Sequence, residues 1–162
     1  MREIPLNGKK ANGRTVLVDN EDYELVSGYN WAIYYNKTAG PYAFGAPKGS
    51  GRGAKRILMH TLITGYPQTD HINHDGLDNQ RHNLRPATHA QNQWNQLPQG
   101  GSSRFRGVCW VKRDNKWQAT MQVNKKRYYL GEYDSEEDAA RAYDAAAREL
   151  CGEFAHPNFP DE

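Results

Sequence analysis

The sequence contains few cysteines and no long hydrophobic run. The two cysteines, Cys109 and Cys151, lie far apart and outside any metal-binding pair, so reduced thiols are expected rather than a disulfide. No apolar segment approaches the roughly 20 residues that a membrane-spanning helix needs, and the first residues lack the hydrophobic region of a signal peptide. These absences predict a soluble cytoplasmic protein with no membrane partner.

Hydrophobic residues are also scarce, at 37% of the 162 positions. A chain of this length forms one ordinary domain or two small ones, and the change in sequence character near residue 100 favours two. The segment 97–103 combines proline, paired glycines and paired serines, which is the composition of a linker. We therefore predict one unit at 1–96 and a second at 104–162.

The net charge of +2 hides an uneven distribution of charged residues. From Arg104 to Arg127, eight Lys or Arg residues accompany a single acid, whereas Tyr128 to Glu162 carries ten acids and two arginines. This separation predicts a basic face and an acidic face on the C-terminal unit, which suits a protein that orients itself on a polyanion. Two ordinary solvated faces would explain the charges equally well.

Short strands and turns are predicted for the N-terminal unit. Arg14–Asp19 is a strand candidate, and Asn30–Ala43 reads as two aromatic strands joined by a turn around 36–41. Arg56–Gly65 predicts a strand that turns into a short helix ending at Gly65. His60 in this helix is expected to pack or to form hydrogen bonds rather than to bind a ligand.

The C-terminal unit shows three strand patterns followed by one helix. The strands are predicted at Phe105–Lys112, Trp117–Val123 and Arg127–Tyr133, and the helix between a Ser135 cap and Gly152. In the middle strand, alternate residues should face the core: Trp117, Ala119, Met121 and Val123. One helical stripe should pack on the sheet: Ala139, Ala142, Tyr143, Ala146 and Leu150. The predicted fold class is α+β, with a β-rich N-terminal unit and a three-stranded antiparallel sheet packed on one helix.

The segment Asp70–Asn95 carries many polar side chains and almost no apolar ones. Buried polar groups cost free energy unless each is satisfied, so this density indicates a site rather than a core. Four of its residues are histidines: His71, His74, His82 and His89. A structural zinc site usually contains closely spaced cysteines, which this segment lacks, so no structural zinc is expected. A purely structural polar loop remains the alternative.

The pair Asp70-His71 suits hydrolysis of phosphodiester bonds. In a strand, the two side chains point to opposite sides, so the carboxylate can hold a hard divalent cation while the imidazole accepts a proton from water. An asparagine some twenty residues later, on a following helix, can supply a second oxygen ligand. A cation with so few protein ligands keeps positions open for a phosphate, as metal-assisted hydrolysis requires.

An ordered series of motifs resembles the HNH motif of small phage homing endonucleases: Asp70-His71, Asp78-Asn79, Asn83-Leu84-Arg85, Ala87-Thr88 and Asn92. The resemblance covers roughly residues 3–95 and implies a β-β-α site around one divalent cation, magnesium or manganese, without structural zinc or a small-molecule cofactor. It implies that Asp70 and Asn92 bind the metal, that His71 is the general base, and that Asn83 braces the loop that orients His71. His89 is the alternative to Asn92, and His74 and His82 are expected to be surface or phosphate-facing groups.

Motifs of the C-terminal unit resemble the plant ethylene-response-factor (Apetala-type) DNA-binding domain: Phe105-Arg106-Gly107-Val108, Trp117-Gln118-Ala119 and Tyr129-Leu130-Gly131-Glu132-Tyr133. The resemblance implies a sheet that enters the major groove of double-stranded DNA. The implied DNA contacts are Arg106, Arg113, Thr120, Gln122, Arg127 and Tyr129, with Trp110 and Lys112 as neighbours in the same loop. Cys109 and Thr120 replace residues usual in the plant domains, so the plant target sequence is not expected.

These observations together predict a metal-dependent DNA endonuclease of the homing type. It would dock through its C-terminal sheet and hydrolyse phosphodiester bonds, and as a monomer or weak dimer with one site it would nick a single strand. A phage-encoded protein of this kind would act in the host cytoplasm. The alternatives are a DNA-binding regulator with an inactive nuclease site and an RNA-binding module.

Overall fold

The chain forms two compact units, Met1–Thr88 and His89–Glu162, in a computed structural model that describes residues 1–36, 40–97 and 100–161. The predicted turn at 36–41 and the predicted linker at 97–103 each lie partly outside these ranges. Within the described ranges, no helix combines the length and hydrophobicity needed to cross a bilayer.

The first unit consists of small antiparallel sheets and short helices. Strands β1 (Arg2–Pro5) and β2 (Thr15–Val18) pair with each other. A second sheet contains β3 (Tyr29–Asn36), β4 (Gly40–Pro47) and β5 (Ile57–Leu58). Helices α1 (Tyr23–Ser27) and α2 (Met59–Thr64) pack nearby, and β6 (Thr69–His71) pairs with β7 (Leu84–Pro86). The predicted strand within 14–19 and the strand-to-helix turn ending at Gly65 are confirmed.

One buried cluster supports the first unit. Its largest fully buried members are Trp31 and Met59, and the Trp31 indole donates a hydrogen bond to the Val26 carbonyl at 2.8 Å. The cluster also includes Ile63 of α2 and Leu84 of β7. Because α2 packs against β6 and β7 and Leu84 belongs to β7, this core supports the strand pair that carries Asp70 and His71.

The second unit contains one three-stranded antiparallel sheet and two helices. A short helix α3 (His89–Trp94) comes first, followed by strands β8 (Val108–Val111), β9 (Lys116–Val123) and β10 (Lys126–Tyr133) in the order β10-β9-β8. Helix α4 (Glu136–Cys151) packs on the sheet, and its Ser135 hydroxyl accepts a hydrogen bond from the Asp138 amide. The predicted sheet, helix and cap are confirmed.

The alternation predicted for β9 is also confirmed. Ala119, Met121 and Val123 are buried, Trp117 packs against the same side, and Gln122 is exposed. Strand β8 is shorter than predicted at its start, because Gly107 adopts a φ of +73° and ends the extended conformation before Val108.

The stripe predicted on α4 is rotated relative to the observed one. The buried residues are Ala139, Ala140, Tyr143, Asp144, Ala147 and Cys151, whereas Ala142, Ala146 and Leu150 are only partly buried. The reason is Asp144, whose carboxylate accepts hydrogen bonds from the backbone amides of Asn158 and Phe159 at 2.7 and 2.8 Å. The C-terminal segment therefore covers this side of the helix.

We expect Gly107→Ala to destabilise the second unit by about 2–3 kcal/mol, because it combines a left-handed backbone with overpacking. A Cβ at this position would lie 2.0 Å from the Tyr143 ring and 2.8 Å from the Thr120 carbonyl oxygen. Urea unfolding of both proteins measures the change. Gly51→Ala, where a Cβ meets nothing within 4 Å, is the matched control. Equal stability of the two variants would contradict the prediction.

Candidate functional site

Asp70 of β6 is held by a cross-strand arginine. Asp70 and Arg85 occupy paired positions on β6 and β7, and their side chains are 8% and 14% exposed. The Arg85 Nε and Nη2 atoms lie 2.8 and 2.7 Å from the same carboxylate oxygen, Oδ2. Such a charge-assisted pair fixes the orientation of the carboxylate.

His71, the next residue, lies in a pocket of aromatic rings. Its imidazole is 5.1 Å from the His60 ring and 5.6 Å from the Tyr42 ring, measured between centroids. Burial lowers the pKa of His71, against the opposing effects of a hydrogen bond with Asn79 and of nearby aspartates. At neutral pH the ring is therefore neutral, which is the form that can accept a proton.

His60 packs as the sequence suggested. Its ring is buried and stands at 80° to the Tyr42 ring and 77° to the His71 ring. Burial, followed by the charge of His71, lowers the pKa of His60 to about 3. The two histidines therefore face each other as neutral rings, and protonation of either would be opposed by the other.

We expect the stability of the chain to fall as the pH drops below about 6.5, the unperturbed pKa of histidine. The unfolded chain binds a proton on His60 there, whereas the folded chain does so only near its lowered pKa of about 3. His60 alone should lower the free energy of unfolding by about 2 kcal/mol between pH 7 and pH 5, with a further loss from His71. Urea unfolding across this pH range measures the slope.

His60→Phe keeps a ring in the pocket and removes the titrating group, so its slope should be shallower. His82→Ala, at an exposed position, serves as the control and should keep the wild-type slope. An unchanged slope in His60→Phe would contradict the assignment.

Asn83 connects both ends of the loop that follows β6. Its Oδ1 accepts from the Asn73 amide at 2.9 Å, and its Nδ2 donates to the Asp78 carbonyl at 2.8 Å. The Asn73 side chain in turn donates to Asp78 Oδ2 at 2.8 Å. These contacts suit the bracing role expected of Asn83, which stays a prediction.

The remaining histidines of the segment occupy different environments. His74 is half-buried with a φ of +66°, and His82 is exposed. His89 is exposed on α3, where its Nε2 lies 3.0 Å from Gln93 Nε2. Asn92 is half-buried on the same helix. Asp70, His71 and Asn83 thus belong to the first unit, whereas Asn92 and His89 belong to the second.

The predicted metal ligands are all oxygen donors, namely the Asp70 carboxylate and the Asn92 amide oxygen. Oxygen donors suit a hard cation such as Mg²⁺ or Mn²⁺. The Arg85 Nε and Nη2 atoms both lie close to Oδ2 of Asp70, which holds this carboxylate in a fixed orientation. The two predicted ligands therefore fit a hard divalent cation. A separate acidic group, Asp19, Glu21 and Asp22, is paired with Arg81.

Four of the predicted DNA contacts share one face of the C-terminal sheet. The register places Gln122 opposite Arg127 and Thr120 opposite Tyr129, so these side chains point to the same side. Tyr129 is 63% exposed. We call this surface, formed by Thr120, Gln122, Arg127 and Tyr129, the outward face. Its polar and cationic side chains can contact bases and phosphates.

The other four predicted contacts lie elsewhere. Lys112 and Arg113 are exposed in the turn after β8, where Arg113 pairs with Asp114. Trp110 is opposite Trp117, with ring centroids 5.0 Å apart, and so points to the helix side. The Arg106 guanidinium donates to the carbonyl oxygens of Gln93 and Gln96 at 2.7 and 2.8 Å, and to that of Trp94.

Four side chains around His71 and Asp70 were given no role in the site from sequence: Tyr42, His60, Arg85 and Asn79. Tyr42 comes from a strand nearly thirty residues upstream, and no local pattern indicates this contact. Arg85 lies opposite Asp70 in the register of β6 and β7, so the pairing of these two strands is the signal that indicates this contact. Asn79 belongs to the HNH-like motif, but nothing in the sequence indicates its hydrogen bond with His71.

Comparisons with known proteins cover both units. The chain is 31% identical over 150 residues to "Uncharacterized HNH endonuclease L560" of Acanthamoeba polyphaga mimivirus, an alignment that covers 92% of this chain and 77% of that protein. It is also 33% identical over 87 residues to "Protein 3.8" of Escherichia phage T7, covering 53% of this chain and 71% of that protein.

The C-terminal unit has relatives of its own. The AP2 domain family model matches residues 103–153. "Ethylene-responsive transcription factor 3" of Nicotiana tabacum is 50% identical over 68 residues, which is 38% of this chain and 28% of that protein. The similarity to the plant protein is thus limited to a part of each chain.

Proposed function

Because the chain belongs to the HNH endonuclease family and carries an AP2 domain, we propose that it is a metal-dependent DNA endonuclease. It docks on double-stranded DNA through the outward face and hydrolyses phosphodiester bonds at the site around Asp70 and His71. The observation that supports this most directly is the placement of a neutral, buried histidine next to a carboxylate that an arginine holds in position.

His71 acts as the general base in this proposal. Burial keeps its imidazole neutral, so a ring nitrogen can take a proton from the attacking water. Only 5% of the residue is exposed, which restricts the side from which water can approach. Tyr42 and His60 each pack against the ring and against each other, and Asn83 holds the loop that follows His71.

Asp70 and Asn92 would hold the divalent cation, magnesium or manganese. When bound, the cation stabilises negative charge on the phosphate and on the departing 3′ oxygen. Arg85 holds the Asp70 carboxylate in a fixed orientation. The products carry 5′-phosphate and 3′-hydroxyl ends. With one such site per chain, a monomer cuts one strand.

The outward face provides the docking surface. Arg127 supplies positive charge, Thr120 and Gln122 supply hydrogen-bonding groups, and Tyr129 supplies an exposed ring. A sheet of this kind fits the major groove, where base edges present distinct donor and acceptor patterns. The Glu and Asp residues concentrated on α4 keep the opposite side away from the polyanion.

Incubation of supercoiled plasmid with the purified chain tests the proposal. We expect conversion to open circles in the presence of Mg²⁺ or Mn²⁺ and none with a chelator. A His71→Ala preparation, purified identically, controls for contaminating nucleases. Tight, sequence-selective DNA binding without cleavage in any divalent cation would favour a regulator with an inactive nuclease site.

A further inference from the structure

A groove of ≈ 810 Å³ runs between α3 and β9 within the second unit. We call it the α3 groove and define it by six of the residues that line it: His89, Gln93, Trp94, Thr120, Gln122 and Lys125. Thr120 and Gln122 also belong to the outward face, so the groove and this face are continuous. Of these six residues, only Thr120 and Gln122 were predicted from sequence to contact DNA.

The groove exists because α3 lies beside the part of β9 that extends beyond β8. Strand β8 pairs with Lys116–Ala119, and the Gly107 carbonyl accepts a last hydrogen bond from the Thr120 amide at 2.8 Å. Trp94 of α3 packs against the cluster that contains Met121 and Tyr143. Arg106 then fixes the end of α3 through hydrogen bonds to the carbonyl oxygens of Gln93 and Trp94, and of Gln96 just after the helix. Helix α3 therefore forms one side of the groove, and β9 forms the other.

The chemistry of the groove favours an anionic, hydrogen-bonding ligand. Among the described residues that line it there is no carboxylate, whereas Lys125 contributes a positive charge. His89, Gln93, Gln122 and Asn124 contribute polar groups. The contact between the His89 and Gln93 side chains orients both of them. A sugar–phosphate backbone offers the matching combination of negative charge and acceptor oxygens.

We propose that the α3 groove holds the sugar–phosphate backbone of one DNA strand, next to the base pairs that the outward face contacts. His89, Gln93 and Lys125 then contact DNA in addition to the outward face, and His89 and Gln93 lie outside the AP2 match at 103–153. Their contacts fix the position of the duplex along the sheet, because phosphate contacts set register while base contacts set sequence. This inference rests on the proposed function, since it requires that the outward face binds DNA.

Hydroxyl-radical footprinting tests it with the full chain and a duplex recovered by binding selection from a randomised pool. For Lys125→Gln and for His89→Ala, we expect loss of protection at consecutive sugars on one flank, with protection of the central base pairs retained. Lys125→Gln should also remove about one phosphate contact. The slope of the logarithm of the binding constant against the logarithm of the salt concentration should then become shallower by about 0.9. Lys126→Gln removes the same charge one residue further on, outside the groove, and should keep the flank protected.

The outcomes separate this inference from the proposed function. Flank protection that persists in both Lys125→Gln and His89→Ala would overturn the groove as a DNA site and leave the nuclease proposal standing. Tyr129→Ala should weaken protection of the central base pairs instead. A wild-type chain that binds no duplex in the selection would overturn the proposed function and this inference with it. Thermal melting of each variant confirms that the fold is retained, since the substituted side chains are exposed.

Discussion

Replacement of His71 by alanine is expected to slow plasmid cleavage by about 10³-fold, because a positioned general base contributes 10²–10⁴-fold to such reactions. The imidazole next to Asp70 is buried, and burial lowers its pKa, which keeps it neutral at pH 7. DNA affinity should stay within about twofold of the wild type, since the outward face is untouched. Single-turnover cleavage and equilibrium binding, measured on the same duplex, provide the two quantities.

His82→Ala is the matched control for this experiment. His82 lies in the same polar segment but is exposed, so its loss should leave the cleavage rate within a few-fold of the wild type. Comparable losses in the two variants would show that the segment acts through charge or folding rather than through a general base at His71. Full activity of His71→Ala would exclude this residue from the chemistry.

Arg85→Met is expected to lower the free energy of unfolding by about 3–5 kcal/mol. Asp70 and Arg85 form a pair whose side chains are 8% and 14% exposed, and removal of one partner leaves a buried, uncompensated charge. Urea unfolding in the presence of a chelator measures this loss. In a double variant, Asp70→Leu with Arg85→Met, both charges are absent, so most of the stability should return.

The same variants test Asp70 as a metal ligand without measuring cleavage. In Arg85→Met, Mn²⁺ can compensate the buried charge of the Asp70 carboxylate, so added Mn²⁺ should raise the melting temperature more than it does in the wild type. The double variant lacks the carboxylate and should show no such response. An equal response of the single and double variants would contradict the role of Asp70.

The sequence allowed prediction of most of the second unit because its signals are local. Ser135 and Gly152 mark the two ends of α4, and the alternation along Trp117–Val123 sets the two faces of β9. The buried stripe of α4 was misplaced because the partner of Asp144 lies fourteen residues away, in a segment with no regular periodicity. A helical pattern predicts that a polar residue such as Asp144 is exposed, even when it accepts hydrogen bonds from a backbone segment far along the chain.

The candidate site likewise contains residues that a local motif indicates and contacts that come from distant segments. Asp70, His71 and Asn83 were identified because their segment resembles the HNH motif, and the roles that the resemblance implies stay predictions. Tyr42 and His60 reach His71 through the packing of β4 and α2 against β6, which sequence spacing does not reveal. The lowered pKa of His71 follows from this burial, and so it could be inferred only from the structure.

The hydrogen bonds from Arg106 to carbonyl oxygens at the end of α3 and just after it determine how this unit can be moved to another protein. A fragment beginning at His89 retains the three acceptors of Arg106, whereas one cut at the start of the AP2 match, residue 103, removes them. The portable unit therefore includes α3, and α3 carries Asn92, a proposed metal ligand. A recombination that exchanged the DNA-reading part of this chain for another would exchange a component of its proposed catalytic centre at the same time.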